Sequence, residues 1–280
     1  MSRELKQRVI LVTGASRGIG RRIAERLAAI GARVAITSRS ADDLEALAAK
    51  LRAGGAEVQA FPADLTDPES RAKLVADVVA QLGGIDVLVN AAGVSSFGEF
   101  ATSTPEILRK VTEINFFAAA EMIRLCQPHL SESYVRGPEG WRPAILNVAS
   151  LCGRVGIPSL PEHCGSKHAL VGLTEALRGE FQRFHIDVLL VLPGVVRSDD
   201  LNRHLLRNEG KIYLNFEGAQ PPEEVADAVV RSLQQNTTER AVGFVSFWVW
   251  LCKRLFPRVV RWGMHLKARR GAWRATRPPR

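Results

Sequence analysis

Thr13-Gly14-Ala15-Ser16-Arg17-Gly18-Ile19-Gly20 is the stretch that decides how this chain folds. The apolar run Val9-Ile10-Leu11-Val12 before it is short enough for a buried strand, and Arg21 to Ala29 after it carries apolar residues at helical spacing. The three glycines therefore sit on a strand–turn–helix corner. Gly14 permits a tight turn, Gly18 lets another group approach the backbone, and Gly20 lets the helix pack closely on the strand. A helix beginning there presents free N–H groups and a partial positive charge, which suits an anion such as a pyrophosphate. Glycine-rich turns also punctuate ordinary loops. The strand before, the helix after and the second strand at Val34-Ala35-Ile36-Thr37 turn the balance towards a nucleotide.

Outward from that corner the same alternation continues. Ser40 stands where it can cap a helix over Ala41 to Arg52, which Gly54-Gly55 ends. Glu57 to Phe61 alternates as a third strand, and Asp67-Pro68 opens a helix to about Gln81. Asp86 to Asn90 is a fourth strand, followed by a long helix expected from Pro105 to Leu130 and a surface loop from Ser131 to Pro143. Ala144 to Ala149 is the fifth strand, Gly165 to Phe184 a second long helix, and Val188 to Leu192 an all-apolar sixth strand. A helix starts at Pro221-Pro222, and Val242 to Val245 is the candidate seventh strand. Alternating strands and helices predict a doubly wound parallel α/β sheet with helices on both faces.

The chain's 280 residues and 46% hydrophobic content suffice for one such domain. Cys126, Cys152, Cys164 and Cys252 show no metal-ligand spacing, so no metal is expected and the thiols are read as reduced and structural. Met1 to Arg8 is polar, which predicts no secretory signal and a cytoplasmic protein. The net charge of +9 is unevenly placed: Arg240 to Arg280 holds eleven Lys/Arg and no Asp/Glu, while the preceding residues hold 27 basic and 29 acidic side chains. The division expected is a nucleotide-binding domain over 1–240, with a substrate loop near 196–220, and a basic tail over 241–280.

The string Thr-Gly-x-x-x-Gly-x-Gly resembles the cofactor turn of the short-chain dehydrogenase/reductase family, and further family-like strings follow from about Gln7 to Gln235. The resemblance implies a single-domain Rossmann fold, hydride transfer between a nicotinamide cofactor and a carbonyl or alcohol, and a dimer or tetramer built through the two long helices. It also implies that Asp64 binds the adenine, that Asn90-Ala91-Ala92-Gly93 lines its pocket, and that Pro193-Gly194 passes the nicotinamide. Ser198 stands where the family often has a Thr for the carboxamide. Ser16, Ile19, Leu65 and Val196 complete the expected cofactor set with Gly14, Arg17, Gly18, Gly20, Arg39 and Lys167. Sites preferring NAD usually end the second strand with an acidic residue. This chain has Thr37-Ser38-Arg39-Ser40 there, so Arg39 and Arg17 are expected to meet the 2′-phosphate of NADP(H) through charge-assisted bonds.

The family's catalysis uses Asn, Ser, Tyr and Lys. Asn115, Ser150 and Lys167 match three of them, in Glu113-Ile114-Asn115-Phe116, Asn147-Val148-Ala149-Ser150 and Gly165-Ser166-Lys167-His168. By the family's pattern the Tyr precedes the Lys by four residues and follows the Ser by thirteen, and both counts land on His163. Tyr134 and Tyr213, the two tyrosines of the chain, lie elsewhere. Imidazolium is a competent acid, with a reference pKa of about 6.5. Lys167 and the positive nicotinamide are expected to depress it, leaving a mostly neutral ring near pH 7. A misplaced general acid costs about 10²–10⁴ in rate. A slow or acid-shifted reductase, a cofactor-binding protein without turnover, and a substituted form of an active parent all remain open.

Asp199 to Gln220 carries Leu201, Leu205, Leu206, Ile212, Tyr213, Leu214 and Phe216, which suggests an apolar small-molecule substrate beneath it, the alternative being loop residues that simply face the core. Beyond the domain, the uncharged run Ala241 to Cys252 falls short of the ~20 residues of a spanning helix. Trp248, Trp250 and Trp262, with Lys253, Arg254, Arg258 and Arg261, fit an interfacial helix on anionic lipid at the inner membrane surface. A helix packed on a partner subunit is the alternative. The tail carries no nucleic-acid motif, and no nucleic-acid partner is expected. Arg269 to Arg280 is expected to be disordered.

Overall fold

The glycine corner forms as expected, and the chain beyond it winds into one twisted parallel sheet. The computed structural model describes residues 3–197, 205–206 and 219–269. Ser198, most of the expected substrate loop and the terminal stretch 270–280 lie outside the described residues. Strand β1 (Val9–Thr13) leads into α1 (Gly18–Ala29), then β2 (Arg33–Thr37), α2 (Ala41–Ala53), β3 (Val58–Ala60), α3 (Pro68–Leu82) and β4 (Val87–Asn90). The second half runs α4 (Pro105–Thr112), a π-helical turn (Glu113–Phe117), α5 (Ala118–Arg136), β5 (Ala144–Val148), α6 (Pro161–Glu180) and β6 (Asp187–Pro193). It continues through α7 (Pro222–Gln235), β7 (Glu239–Val242), α8 (Phe244–Leu255) and α9 (Pro257–Arg269).

Among the described residues seven strands pair in the order β3-β2-β1-β4-β5-β6-β7, all parallel. The chain leaves β1 in one direction and returns to its other side with β4. That reversal opens a crevice at the carboxyl ends of the strands, where ligands of such sheets bind.

Both faces are apolar, and the period-2 alternation sorts side chains between them. Ile10, Val12, Val34 and Ile36 join Ile23 and Leu27 of α1 and Val225, Val229 and Leu233 of α7 in one core. Val9, Leu11, Leu88, Ile145 and Val188 join Leu74 and Val78 of α3 and Met122, Cys126 and Leu130 of α5 in the other. Each such fully buried aliphatic side chain contributes about 1.5–3 kcal/mol.

Several boundaries differ from the sequence expectation, each for a local reason. The long helix expected from Pro105 to Leu130 is interrupted by the π turn around Asn115, whose side chain is bonded to Val94. It then runs to Arg136, into the expected loop, because Ser133 is buried, donates to Asp86 and accepts from Trp141 Nε1. Helix α6 begins at Pro161 rather than Gly165, since Pro suits a first helical position. Ser40 precedes α2, but its hydroxyl donates to Asp43 Oδ2 (2.7 Å) instead of capping a backbone N–H. Asp67 caps α3 as expected, accepting from Ser70 N. Strand β7 lies three residues before the expected Val242 to Val245, and the apolar residues after it form α8.

One tie that the sequence reading passed over closes the sheet's amino edge. Arg3, 8% exposed, donates to Asp187 Oδ2 (2.6 Å), to the Arg142 carbonyl (2.8 Å) and to the Leu233 carbonyl. It joins the amino terminus to β6 and α7. Arg3→Met leaves Asp187 buried with Arg142 as its remaining cation. The expected loss is about 3 kcal/mol in urea unfolding, at the lower end for a broken buried pair. A change below about 0.5 kcal/mol would show that the pair's desolvation cost cancels its attraction.

Candidate functional site

The crevice is floored by the glycine corner, and each glycine there has a separate spatial reason. Gly14 has φ +68°, and a Cβ on it would meet the Ala92 backbone at 2.7 Å. A Cβ on Gly20 would collide with the Gly14 carbonyl, so the helix could not sit against the turn. At Gly18 (φ +54°) nothing lies within 4 Å, which leaves the backbone open to a ligand at the start of α1. Thr13 Oγ1 accepts from Ala91 N (3.0 Å) and Ala92 N (3.1 Å), fixing the ends of β1 and β4 to each other. Thr13 opens the quoted string, yet a role for its hydroxyl was not legible there.

The cleft above this floor has a volume of about 340 Å³, the size of small-molecule sites. Of the expected cofactor residues, Gly14, Ser16, Arg17, Gly18, Ile19, Gly20, Arg39, Asp64, Leu65, Ala91, Gly93 and Val196 line it. Asn90 does not. It is buried, donating to Asn147 Oδ1 (2.9 Å), and Asn147 donates in turn to Thr174. Pro193 ends β6, and Gly194 N donates to Gln220 Oε1 (3.3 Å) beside the cleft.

Arg17 and Arg39 are both exposed, and both line the cleft. Burial raises the Asp64 pKa, but bonds from Thr66 and the charges of Arg39 and Lys110 outweigh it, so Asp64 stays below the usual carboxylate range. Ser38 Oγ is buried beside Arg39 with no hydrogen-bond partner, although Ser38 lines the cleft. An orphaned hydroxyl, an open glycine and two guanidinium groups fit the phosphate and ribose of a dinucleotide.

Of the expected catalytic residues, Asn115 and His163 meet at the Val94 peptide, and Lys167 lies close to Gly93 before it. Asn115 Oδ1 accepts from Val94 N (2.8 Å), and Asn115 Nδ2 donates to Val94 O (2.9 Å) and Ser166 Oγ (3.0 Å). His163 Nδ1 also meets Val94 O, at 3.2 Å. A carbonyl can only accept, so in the neutral ring Nδ1 holds the proton and Nε2 offers a lone pair. Lys167 Nζ is buried and donates to Val148 O (3.1 Å), two residues before Ser150. Ser150 Oγ accepts from Cys152 N (3.1 Å). Neither Val94 nor Ser166 was marked by sequence reasoning. The first acts through its backbone, which carries no side-chain signature.

Electrostatics follow from this packing. Desolvation, then the Lys167 charge, push His163 down to about 4, and the bond to Val94 opposes them. Burial brings Lys167 down to about 8. Glu162, 1% exposed, accepts from Ser96 Oγ (2.9 Å) and Ser103 Oγ, tying the start of α6 to the segment after β4. Among the described residues no group of three His, Cys, Asp or Glu could hold a metal ion.

A model of the short chain dehydrogenase family matches residues 8–209. The ketoacyl reductase HetN of a Nostoc species is 32% identical over 235 residues, which is 84% of this chain and 78% of that protein. A metagenomic short-chain oxidoreductase solved with NADP superposes with a TM-score of 0.69 at 30% identity, covering 85% of this chain and 98% of that one. The alcohol dehydrogenase of the archaeon Thermococcus sibiricus, solved with 5-hydroxy-NADP, gives 0.71 at 26% identity over 84% of this chain and 95% of its own.

The low His163 pKa has a thermodynamic consequence. An unfolded-state pKa near 6.5 means that the unfolded chain binds the extra proton first as pH falls. Stability therefore declines from about pH 6.5 down to about pH 4 and is unaffected by this group above that window. The full effect is up to about 3 kcal/mol, because each tenfold difference in proton affinity between the two states is worth ~1.4 kcal/mol. His163→Gln should flatten this part of the pH–stability curve. An unchanged slope would show that the ring is not desolvated.

Proposed function

The chain belongs to the short-chain dehydrogenase family, and from that premise we propose that it is an NADPH-dependent oxidoreductase acting on the carbonyl of an apolar small molecule. His163 occupies the proton donor's place in this reading. The observation that carries it is one cleft lined both by Arg17, Ser38 and Arg39 and by Gly93 and Val94, the neighbours of Asn115, Lys167 and His163. The relatives solved with NADP and an NADP derivative support the cofactor class.

Gly18 and the N–H groups at the start of α1 would hold the pyrophosphate, Arg17 and Arg39 the 2′-phosphate, and Lys167 the nicotinamide ribose. The bound nicotinamide supplies the hydride. The Ser150 hydroxyl orients the substrate oxygen by donating to it. Asn115 has its amide wholly engaged with Val94 and Ser166, so its part is to hold that wall in place. His163 delivers the proton from Nε2, which requires the imidazolium, because the neutral ring's proton sits on Nδ1 against Val94. Leu206 N donates to Ser95 O (2.9 Å), which sets this apolar residue beside the same wall and supports an apolar substrate.

The same pKa of about 4 favours a second reading, a cofactor-binding protein with impaired turnover, since the ring is almost wholly neutral at pH 7. An NADPH-oxidation assay over a panel of ketones and aldehydes separates the two. Under the first reading, the neutral-pH rate is low and rises as pH falls towards 4. His163→Tyr should raise the rate at pH 7 by about 10²–10⁴, the ordinary worth of a placed general acid. Fast turnover at pH 7 with no response to His163→Tyr would mean that another group gives the proton. No turnover in either form, with NADPH still bound, would establish the second reading.

Cofactor choice is checked separately by titration. NADPH should bind more tightly than NADH, and replacing Arg17 and Arg39 together with Ala should remove most of the difference. Each charge-assisted contact is worth about 1.5–3 kcal/mol, so the double variant should lose at least tenfold in NADPH affinity. Equal dissociation constants for the two cofactors in the unaltered chain would refute the assignment.

A further inference from the structure

Helix α8 is amphipathic the wrong way round for a helix that completes a domain. Phe244, Trp248, Leu251 and Leu255 recur at helical spacing, and Phe244, Trp248 and Leu255 are exposed by 77%, 47% and 58%. The opposite side makes the contacts with the domain. Ser246 is buried over Gly194, where a Cβ would collide with its hydroxyl. Trp250 donates from Nε1 to Glu239 Oε1 (2.7 Å) and packs on the cluster of Ala149, Leu170 and Leu192. The helix is therefore fixed to the carboxyl edge of the sheet while its apolar stripe faces outward. Phe256, Val259 and Trp262 continue that exposure into α9.

Charge accompanies the stripe. Arg254, Arg258 and Arg261 are exposed, and none of them pairs with a described carboxylate. No acidic residue occurs anywhere from Arg240 to Arg280. We infer that α8 and α9 dock on an anionic lipid surface, lying in the interface with Phe244, Trp248, Leu255 and Phe256 in the headgroup–acyl boundary and the arginines on the phosphates.

Among the described residues no helix is long and apolar enough to cross a membrane, so the contact is peripheral. A second copy of this chain is a poor occupant. A two-fold contact through this face would set two acid-free, cationic segments against each other. An anionic bilayer satisfies both the aromatic stripe and the unpaired cations. The docked surface would meet the protein at the sheet edge where the cleft opens, and docking does not depend on turnover of a carbonyl.

The test is co-sedimentation of the full chain with vesicles of phosphatidylcholine, with and without roughly one third phosphatidylserine. The protein should pellet with the serine-containing vesicles and stay soluble with the neutral ones. Raising salt from about 0.1 to 0.5 M should release it, as screening shortens to a few ångströms. Arg254→Gln, Arg258→Gln and Arg261→Gln together should weaken binding on the order of a hundredfold. Trp248→Ser, Leu255→Ser and Phe256→Ser together should abolish it. Both variants change exposed positions and should keep the unaltered far-ultraviolet circular dichroism and NADPH affinity. Equal pelleting with neutral vesicles overturns the anionic assignment, and pelleting with neither overturns the proposal. If the chain ignores vesicles and the apolar triple variant lowers its mass in ultracentrifugation, a second copy covers the face instead.

Discussion

The Val94 carbonyl is shared by two donors, Asn115 Nδ2 and His163 Nδ1, and the arrangement of the side chains around it depends on that sharing. The segment leaving β4 is held at Ala91 and Ala92 by Thr13 and at Ser96 by Glu162, and Val94 lies between those ties. Paired bonds to Asn115, one donated and one accepted, fix the Val94 peptide in orientation as well as position. The π turn at Glu113–Phe117 is where the helix accommodates this: Asn115 lies within it, turned to the peptide and away from its own helix. His163 then inherits a tautomer, because its neighbour can accept and cannot donate. A backbone oxygen thus settles which ring nitrogen carries the proton in the neutral ring.

The two ends of the cleft are electrostatically unlike, although both are positive. Arg17 and Arg39 are exposed, so they cost little desolvation and attract a phosphate over a screened range. Lys167 is buried beside His163, and both are pushed towards their neutral forms. Two cations in one desolvated pocket are unfavourable, and the imidazole yields because its ordinary pKa is the lower. A phenol in that position would be held neutral by burial and drawn towards its anion by the same lysine. The lysine lowers the pKa of either ring, whereas burial lowers that of the imidazole and raises that of the phenol.

The last strand illustrates how a sheet edge is handled. Strand β7 would expose unpaired backbone groups on its outer side, the usual liability of an edge. Here α8 follows it directly and is anchored back by Trp250 to Glu239 in the strand itself. Glu239 also takes two bonds from Arg154, so the edge, the segment after β5 and α8 share one carboxylate. The apolar surface that results faces away from the core.

Much of this was legible in the residues themselves. The strand–turn–helix corner, the alternation of apolar runs and the doubly wound parallel sheet follow from local rules of spacing and steric freedom, which a one-dimensional pattern records faithfully. So do the family membership, carried by strings of adjacent residues, and the missing carboxylate after β2. Tertiary structure decided what depends on distant groups meeting. The inward bond from Asn90 to Asn147, across to the neighbouring strand, has no local signature. Helix α5 outran its expected end because Ser133 found Asp86 and Trp141. Arg3 acquired meaning only when the fold brought it to Asp187. Val94 and the orphaned Ser38 hydroxyl belong to the same class, since a backbone carbonyl or a buried hydroxyl takes its role from whatever the packing places beside it. The sequence determines which groups exist and how often they recur. Which of them are desolvated together is a property of three-dimensional packing, and desolvation sets the chemistry of His163 and Lys167.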